Sequence, residues 1–143
     1  MAVIAVGLDV VEMPRARELI ARHGDRILDR TLTPGEREYL LSLGDPVPAF
    51  AARLAVKEAV YKALQVLPNA RGVAWREIGV LRRPDGRPEV ELFGRAAALL
   101  TPPLRLHISL SHSRDVAAAV AILERISSSL YLGTSELAAD QGE

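Results

Sequence analysis

The stretch from residue 49 to residue 66 constrains this chain more than any other. It is rich in alanine and contains neither glycine nor proline, which favours one helix along its whole length. Asp45-Pro46-Val47-Pro48 reads as the loop before it, and Pro68 marks its end. A continuous apolar run at residues 3–8 reads as a buried first strand, closed by Asp9. Pro14 opens a helix that reaches about His23, ahead of Gly24, and residues 26–30 read as a short turn. Thr33-Pro34-Gly35-Glu36 is a helix start: Thr33 caps, Pro34 suits the first position and Glu36 completes a capping box. That helix ends near Gly44. Residues 75–83 and 88–93 read as a hairpin turning at Pro84-Asp85-Gly86. Residues 94–100 form a short helix, and residues 106–111 and 116–123 form two further strands. A strand, several helices and then mostly strands predict an α+β fold with helices packed on an antiparallel sheet. One domain is expected over residues 1–125. Residues 126–143, serine-rich and then acidic, are expected to be a flexible C-terminal tail.

Composition narrows the chemistry. The 143 residues suffice for one domain with a real core. The 18 basic and 18 acidic side chains give zero net charge, which argues against nucleic acid as the main partner. The absence of cysteine removes disulfides, thiolate nucleophiles and cysteine-based zinc sites. No basic segment precedes the first apolar run, so no signal peptide is expected. The apolar run at residues 116–123 is far too short to cross a bilayer. A cytoplasmic protein with no membrane partner is the expectation.

Positive charge is distributed unevenly. Of the 18 basic residues 16 are arginine, and the two lysines, Lys57 and Lys62, are close neighbours. Lysine offers a compact, transferable proton that guanidinium does not. Glu58 and Lys62, four apart, share one face of the predicted helix, and Arg53 and Lys57 share a neighbouring one. Taken alone, this cluster fits either a solvated, salt-bridged surface or an anion site. Asp9, directly after a strand, fits either a turn residue or a site residue emerging from a scaffold. Together Asp9 and Glu58 offer two hard oxygen ligands, and magnesium takes one or two carboxylates plus phosphates and water. With arginine and lysine around them, they suggest a metal–phosphate site. His112 ends an apolar strand beside a turn, where a structural hydrogen bond is as natural as a ligand contact. Ser111 and His112 are adjacent and point to opposite faces, and no Gly-x-Ser-x-Gly elbow is present, so a serine hydrolase is poorly supported.

Four motifs, in order and over residues 3–124, resemble those of the holo-acyl-carrier-protein synthases, the bacterial fatty-acid type of 4′-phosphopantetheinyl transferase. They are Gly7-Leu8-Asp9 with Arg15 beyond it, Thr33-Pro34-Gly35-Glu36, the segment from Arg53 through Lys57-Glu58 to Lys62-Ala63, and Ile108-Ser109-Leu110-Ser111-His112. The resemblance implies transfer of 4′-phosphopantetheine from coenzyme A to a serine of an apo-acyl carrier protein, with 3′,5′-ADP as the other product. It implies Mg2+ held by Asp9 and Glu58, with Asp9, Glu58 and Lys62 as the catalytic set. Arg53, Lys62 and His112 would contact coenzyme A, with Lys57 a weaker candidate. Arg15, then Arg30, would dock the acidic carrier protein, and Glu36 is assigned to capping. A homotrimer with sites between subunits is implied as well. Leu54 and Val56 stand where the family usually has an aromatic residue and alanine. Some members carry basic residues before the arginine of the central motif. This chain has Gly44-Asp45-Pro46-Val47-Pro48 there, which leaves open how the 3′-phosphate of coenzyme A is held. Two other readings fit the same residues: another magnesium-dependent nucleotide phosphotransferase or pyrophosphatase, and a non-catalytic carrier-binding module.

Overall fold

The computed structural model describes residues 1–127. The elements run β1 (Ala2–Glu12), α1 (Met13–His23), α2 (Asp25–Thr31), α3 (Pro34–Leu41), α4 (Val47–Leu64), β2 (Ile78–Arg82), β3 (Pro88–Leu92), α5 (Gly94–Leu99), β4 (Leu104–His112) and β5 (Val116–Arg125), with two 3-10 turns before β2. Strands β1, β5 and β4 form one antiparallel sheet in that order, and β2 and β3 form a separate hairpin. Helix α4 lies across β1 and β5. This is the expected α+β architecture.

Three expectations about local structure are corrected. Asp9 does not end β1. The strand continues through Val10 and Val11 to Glu12 because β5 pairs with it the whole way, Asp9 opposite Ala119 and Glu12 opposite Val116. β-Branched residues favour that extension. Residues 75–77 form a 3-10 turn and not the start of β2, since the Glu77 carboxylate turns back to accept from the backbone N–H of Ala74 at 3.1 Å. Residues 26–30 belong to a true helix, α2. The expected tail lies outside the described residues from residue 128 on.

Helix α4 begins two residues earlier than predicted. Pro48 falls within the first turn, where its missing N–H breaks no helical bond. Asp45 Oδ1 accepts from the backbone N–H of Val47 at 3.1 Å and holds that turn. The predicted capping box opens α3: Thr33 Oγ1 accepts from Glu36 N at 3.2 Å, and Glu36 Oε1 accepts from Thr33 N at 2.9 Å.

The contact between α4 and the sheet is built from small residues. Ala55, Ala59 and Ala63, four apart on one face of α4, are fully buried, as are Ala117 and Ala121 of β5. In β1 the matching position is Gly7, where a Cβ would lie 1.9 Å from the Ala59 carbonyl oxygen. Only glycine permits that approach of strand to helix. Asp9, two residues further along β1, faces the same way as Gly7 because strand side chains alternate. The close approach therefore delivers its carboxylate to the side of α4.

Candidate active site

Asp9, Glu58 and Lys62 meet where β1 crosses α4. Lys62 Nζ donates to Asp9 Oδ1 at 3.0 Å and to the Leu8 carbonyl oxygen at 2.9 Å. The ammonium remains half-exposed while the Asp9 side chain is largely covered. Asp9 Oδ2 is buried and has no hydrogen-bond partner among the described residues. Glu58 stands beside it. Partial burial, a hydrogen bond to Asp9 and the charge of Asp9 push the Glu58 carboxyl up to about 7, against the opposing pull of Arg15 and Lys62. Two carboxyls placed side by side in partial shelter resist double ionisation, so the pair holds a proton near neutral pH.

That arrangement fits a divalent cation. The pair presents hard oxygens, one of them unsatisfied, and its surplus negative charge is what a metal ion would offset in place of the proton. Among the described residues no group of three or more histidine, cysteine or acidic side chains forms a metal cluster. An ion held by these two carboxylates would have room for phosphate oxygens and water, the ligands magnesium commonly takes besides one or two carboxylates.

A second group lies elsewhere on α4. Arg53 and His112 line one cleft of about 420 Å3 together with Tyr39, Ala49, Arg82 and Leu110. The Arg53 guanidinium sits 4.9 Å from the centre of the Tyr39 ring, a cation–π contact. Its Nη1 donates to the Ala49 carbonyl at 3.2 Å, and its Nε is buried without a hydrogen bond. Glu58 is five residues from Arg53, about 140° around the helix at about 100° per residue. The cleft lining includes none of Asp9, Glu58 and Lys62. One chain thus presents two half-sites on different sides of the same helix.

Lys57 belongs to neither, which corrects its assignment as a coenzyme A contact. Its side chain is 0% exposed. Its ammonium donates to Glu36 Oε1 at 2.7 Å, to the Trp75 carbonyl at 3.1 Å and to the Ile78 carbonyl, so all three N–H groups are used. Burial pulls the ammonium below the ordinary lysine range, and Glu36 opposes that shift. Glu36 accepts in addition from Val80 N at 3.1 Å. The cap of α3 thereby becomes the hub joining α3, α4 and β2. Arg15 is exposed on α1 and close enough to act on Glu58. Arg30 is exposed on α2.

The sequence reading missed Tyr39 and Arg82. Tyr39 was recoverable, since it lies three residues after Glu36 on the same side of α3. Arg82 enters the cleft through the hairpin's placement, for which no local spacing gives a signal.

A proton-sharing carboxylate pair beside an ammonium, with a cationic cleft on the same helix, is suited to an enzyme that works on phosphate esters. The comparisons with known proteins give that class its family. The chain belongs to the 4′-phosphopantetheinyl transferase superfamily, whose family model matches residues 5–121. It is 41% identical over 124 residues to the holo-[acyl-carrier-protein] synthase of Koribacter versatilis (strain Ellin345), covering 85% of this chain and 98% of that protein. It is 42% identical over 122 residues to the holo-[acyl-carrier-protein] synthase of Chlamydia pneumoniae, again covering 85% and 98%. Among solved structures it resembles the acyl carrier protein synthase of Mycobacterium tuberculosis, with a TM-score of 0.68, 37% identity and coverage of 87% and 100%. It resembles the "Chronobacterium ammoniagenes" ACPS–CoA complex with a TM-score of 0.71, 30% identity and coverage of 86% and 98%. Among the described residues no helix is long and apolar enough to cross a membrane.

Proposed function

We propose that this chain transfers the 4′-phosphopantetheine group of coenzyme A to a serine hydroxyl of an apo-acyl carrier protein, releasing 3′,5′-ADP. The observation that carries the reading is the meeting of Asp9 and Glu58 beside Lys62, in a chain similar to holo-[acyl-carrier-protein] synthases over most of its length. The serine oxygen forms a bond to the β-phosphorus, and the bond from that phosphorus to the bridging oxygen breaks. Asp9 and Glu58 hold Mg2+, which when bound offsets charge along the pyrophosphate. Lys62 neutralises the departing phosphate or returns a proton to it. Glu58 and solvent at the site are the acceptors available for the serine proton. Arg53 and His112 bind the phosphates of coenzyme A. Arg15 and Arg30 steer and dock the acidic carrier, and the nearness of Arg15 to Glu58 supports docking close to the carboxyl pair.

A homotrimer with sites between subunits accounts for the separated half-sites. The carboxylates of one copy would face the coenzyme A cleft of the next. The sheet face away from α4 supports such an assembly. Val6, Leu8 and Val10 of β1 are 61%, 62% and 52% exposed there, beside the half-covered Val120 and Ile122 of β5. Monomers rarely leave a contiguous apolar stripe of that kind open.

The test is a mass measurement. Apo-carrier protein incubated with the full chain, coenzyme A and Mg2+ gains the mass of one phosphopantetheine, and chelation stops the gain. An unchanged mass across several apo-carriers refutes the proposal. Nucleotide turnover without a carrier would favour the pyrophosphatase reading, and carrier binding without turnover the non-catalytic one.

A further inference from the structure

The β2–β3 hairpin carries Arg82, Arg83 and Arg87, and their surroundings differ. Arg83 Nε lies 4.0 Å from Glu89 Oε2. Arg87 is held by Asp85 Oδ2, through Nε at 2.9 Å and Nη2 at 2.7 Å. Arg82 has no hydrogen bond, carboxylate or ring partner among the described residues. It closes β2 and lines the cleft that holds Arg53, Tyr39 and His112. Arg82 and Arg53 share the wall of an adjoining depression as well.

Two of the negative groups near this wall are already committed, while Glu91 lines the adjoining depression without an ion-pair partner among the described residues. Asp45 meets Arg17 Nη2 at 3.1 Å and the backbone N–H of Val47 at 3.1 Å. Glu36 lies 3.8 Å from Arg53 Nε, but its oxygens already accept from Lys57, Thr33 N and Val80 N. Burial holds the Arg53 guanidinium below its ordinary value, Glu36 and Tyr39 oppose this, and Arg82 lowers it further. Two guanidiniums that repel across a shared wall, Arg82 without a hydrogen bond or carboxylate partner among the described residues, are an incomplete anion site.

Coenzyme A carries two phosphate groups that could fill it, the pyrophosphate and the ribose 3′-phosphate. The pyrophosphate must lie at the Asp9–Glu58 pair for transfer to occur. The 3′-phosphate stands apart from the reacting bond and suits a separate cationic cleft. Residues 44–48, which lead into α4, contain no basic side chain that could serve instead. Resting on the transfer reaction read above, we propose that Arg82, together with Arg53, holds the ribose 3′-phosphate, and that Arg82 is the residue by which this chain distinguishes coenzyme A from dephospho-coenzyme A. Guanidinium forks match phosphate oxygens in bidentate fashion, and a phosphate in the cleft offsets the positive charge that the two residues bring to it. The Tyr39 ring beneath Arg53 keeps that guanidinium in place.

The experiment compares kcat/KM for coenzyme A and dephospho-coenzyme A in the wild type, Arg82→Gln, Arg82→Lys and Arg83→Gln. The wild type favours coenzyme A by about tenfold to a hundredfold, the scale of hydrogen bonds to a charged group. Arg82→Gln removes most of that preference through KM. Arg82→Lys restores part of it, and Arg83→Gln keeps the wild-type ratio. A parallel loss on both substrates, or an unchanged ratio in Arg82→Gln, overturns the assignment. Failure of the wild type to transfer from either substrate would count against the transferase reading alone. Titration with 3′,5′-ADP and 5′-AMP then decides the present point. A preference for 3′,5′-ADP that disappears in Arg82→Gln sustains it, and equal binding in the wild type overturns it.

Discussion

Lys57 and Lys62 lie five residues apart on one helix and meet opposite fates. Around Lys57 every polar valence is filled: three acceptors surround its ammonium, and Glu36 binds two backbone N–H groups besides. Around Lys62 the chemistry is unfinished. Among the described residues no N–H donates to Asp9 Oδ2, Glu58 retains a proton near neutrality and the ammonium faces solvent. Charges of the same kind on one α-helix thus serve cohesion in the first case and stay available to a ligand in the second. What separates the two is whether the protein itself completes the hydrogen bonds. A saturated buried pair leaves nothing for a ligand, whereas an under-satisfied one invites it.

The sharpest break in that comparison comes from stability. Lys57→Ala strands the Glu36 carboxylate in the interior and is expected to cost about 3–5 kcal/mol of unfolding free energy, read by chemical denaturation. Lys62→Ala, at a half-exposed position, should leave the denaturation midpoint nearly unchanged while turnover falls. Equal stability losses in the two variants would erase the distinction drawn here.

Next come the carboxylates. Asp9→Ala and Glu58→Ala are expected to cut phosphopantetheine transfer by about a hundredfold or more, with the folded state retained. Near-normal turnover in both would remove them from the metal site. Gly7→Ala sharpens the point by moving the site without touching it. The added methyl drives β1 away from Ala59, which should cost about 1–3 kcal/mol and lower turnover as Asp9 is displaced. A Gly7→Ala protein with wild-type stability and turnover would show that the close approach is not needed.

The smallest effect is a pH dependence. The folded Glu58 pKa is raised to about 7 from an ordinary 4.5. A raised acid contributes its full stability below about pH 4.5 and loses it as pH rises through 7. In chelator, wild type minus Glu58→Gln should therefore lose stability between those values. The loss is on the order of 1 kcal/mol once solvent screening at this partly exposed site is allowed for. Saturating Mg2+ should flatten the difference, and a difference curve flat without metal contradicts the shared proton.

Much of this was legible in the sequence for local reasons. An uninterrupted alanine-rich run specified α4, and four residues, Thr33 to Glu36, specified the start of α3. The hairpin followed from Pro84-Asp85-Gly86 between two strand-like runs. What escaped was set by distant partners. The length of β1 beyond Asp9 depends on β5, more than a hundred residues away. Lys57 read as a site residue because spacing alone grouped it with Arg53. Leu54 and Val60, three residues to either side and both buried, were the available sign that this face turns inward. The partners of Lys57 come from α3, β2 and the turn before it, and no window on α4 contains them. The approach of Asp9 to Glu58 depends on Gly7, whose lack of a side chain carries meaning only once the helix is placed above it.

The seam between β1 and α4 bears on how the enzyme moves. Glycine and alanine have no side-chain torsion that can flip, so where Gly7 meets Ala59 and Ala63 there is no alternative rotamer to visit. The gap between the two carboxyl-bearing backbones is therefore set by main-chain atoms and methyl groups in direct contact. Thermal fluctuation elsewhere, in the β2–β3 hairpin or in α1 and α2, can proceed without changing the spacing between Asp9 and Glu58.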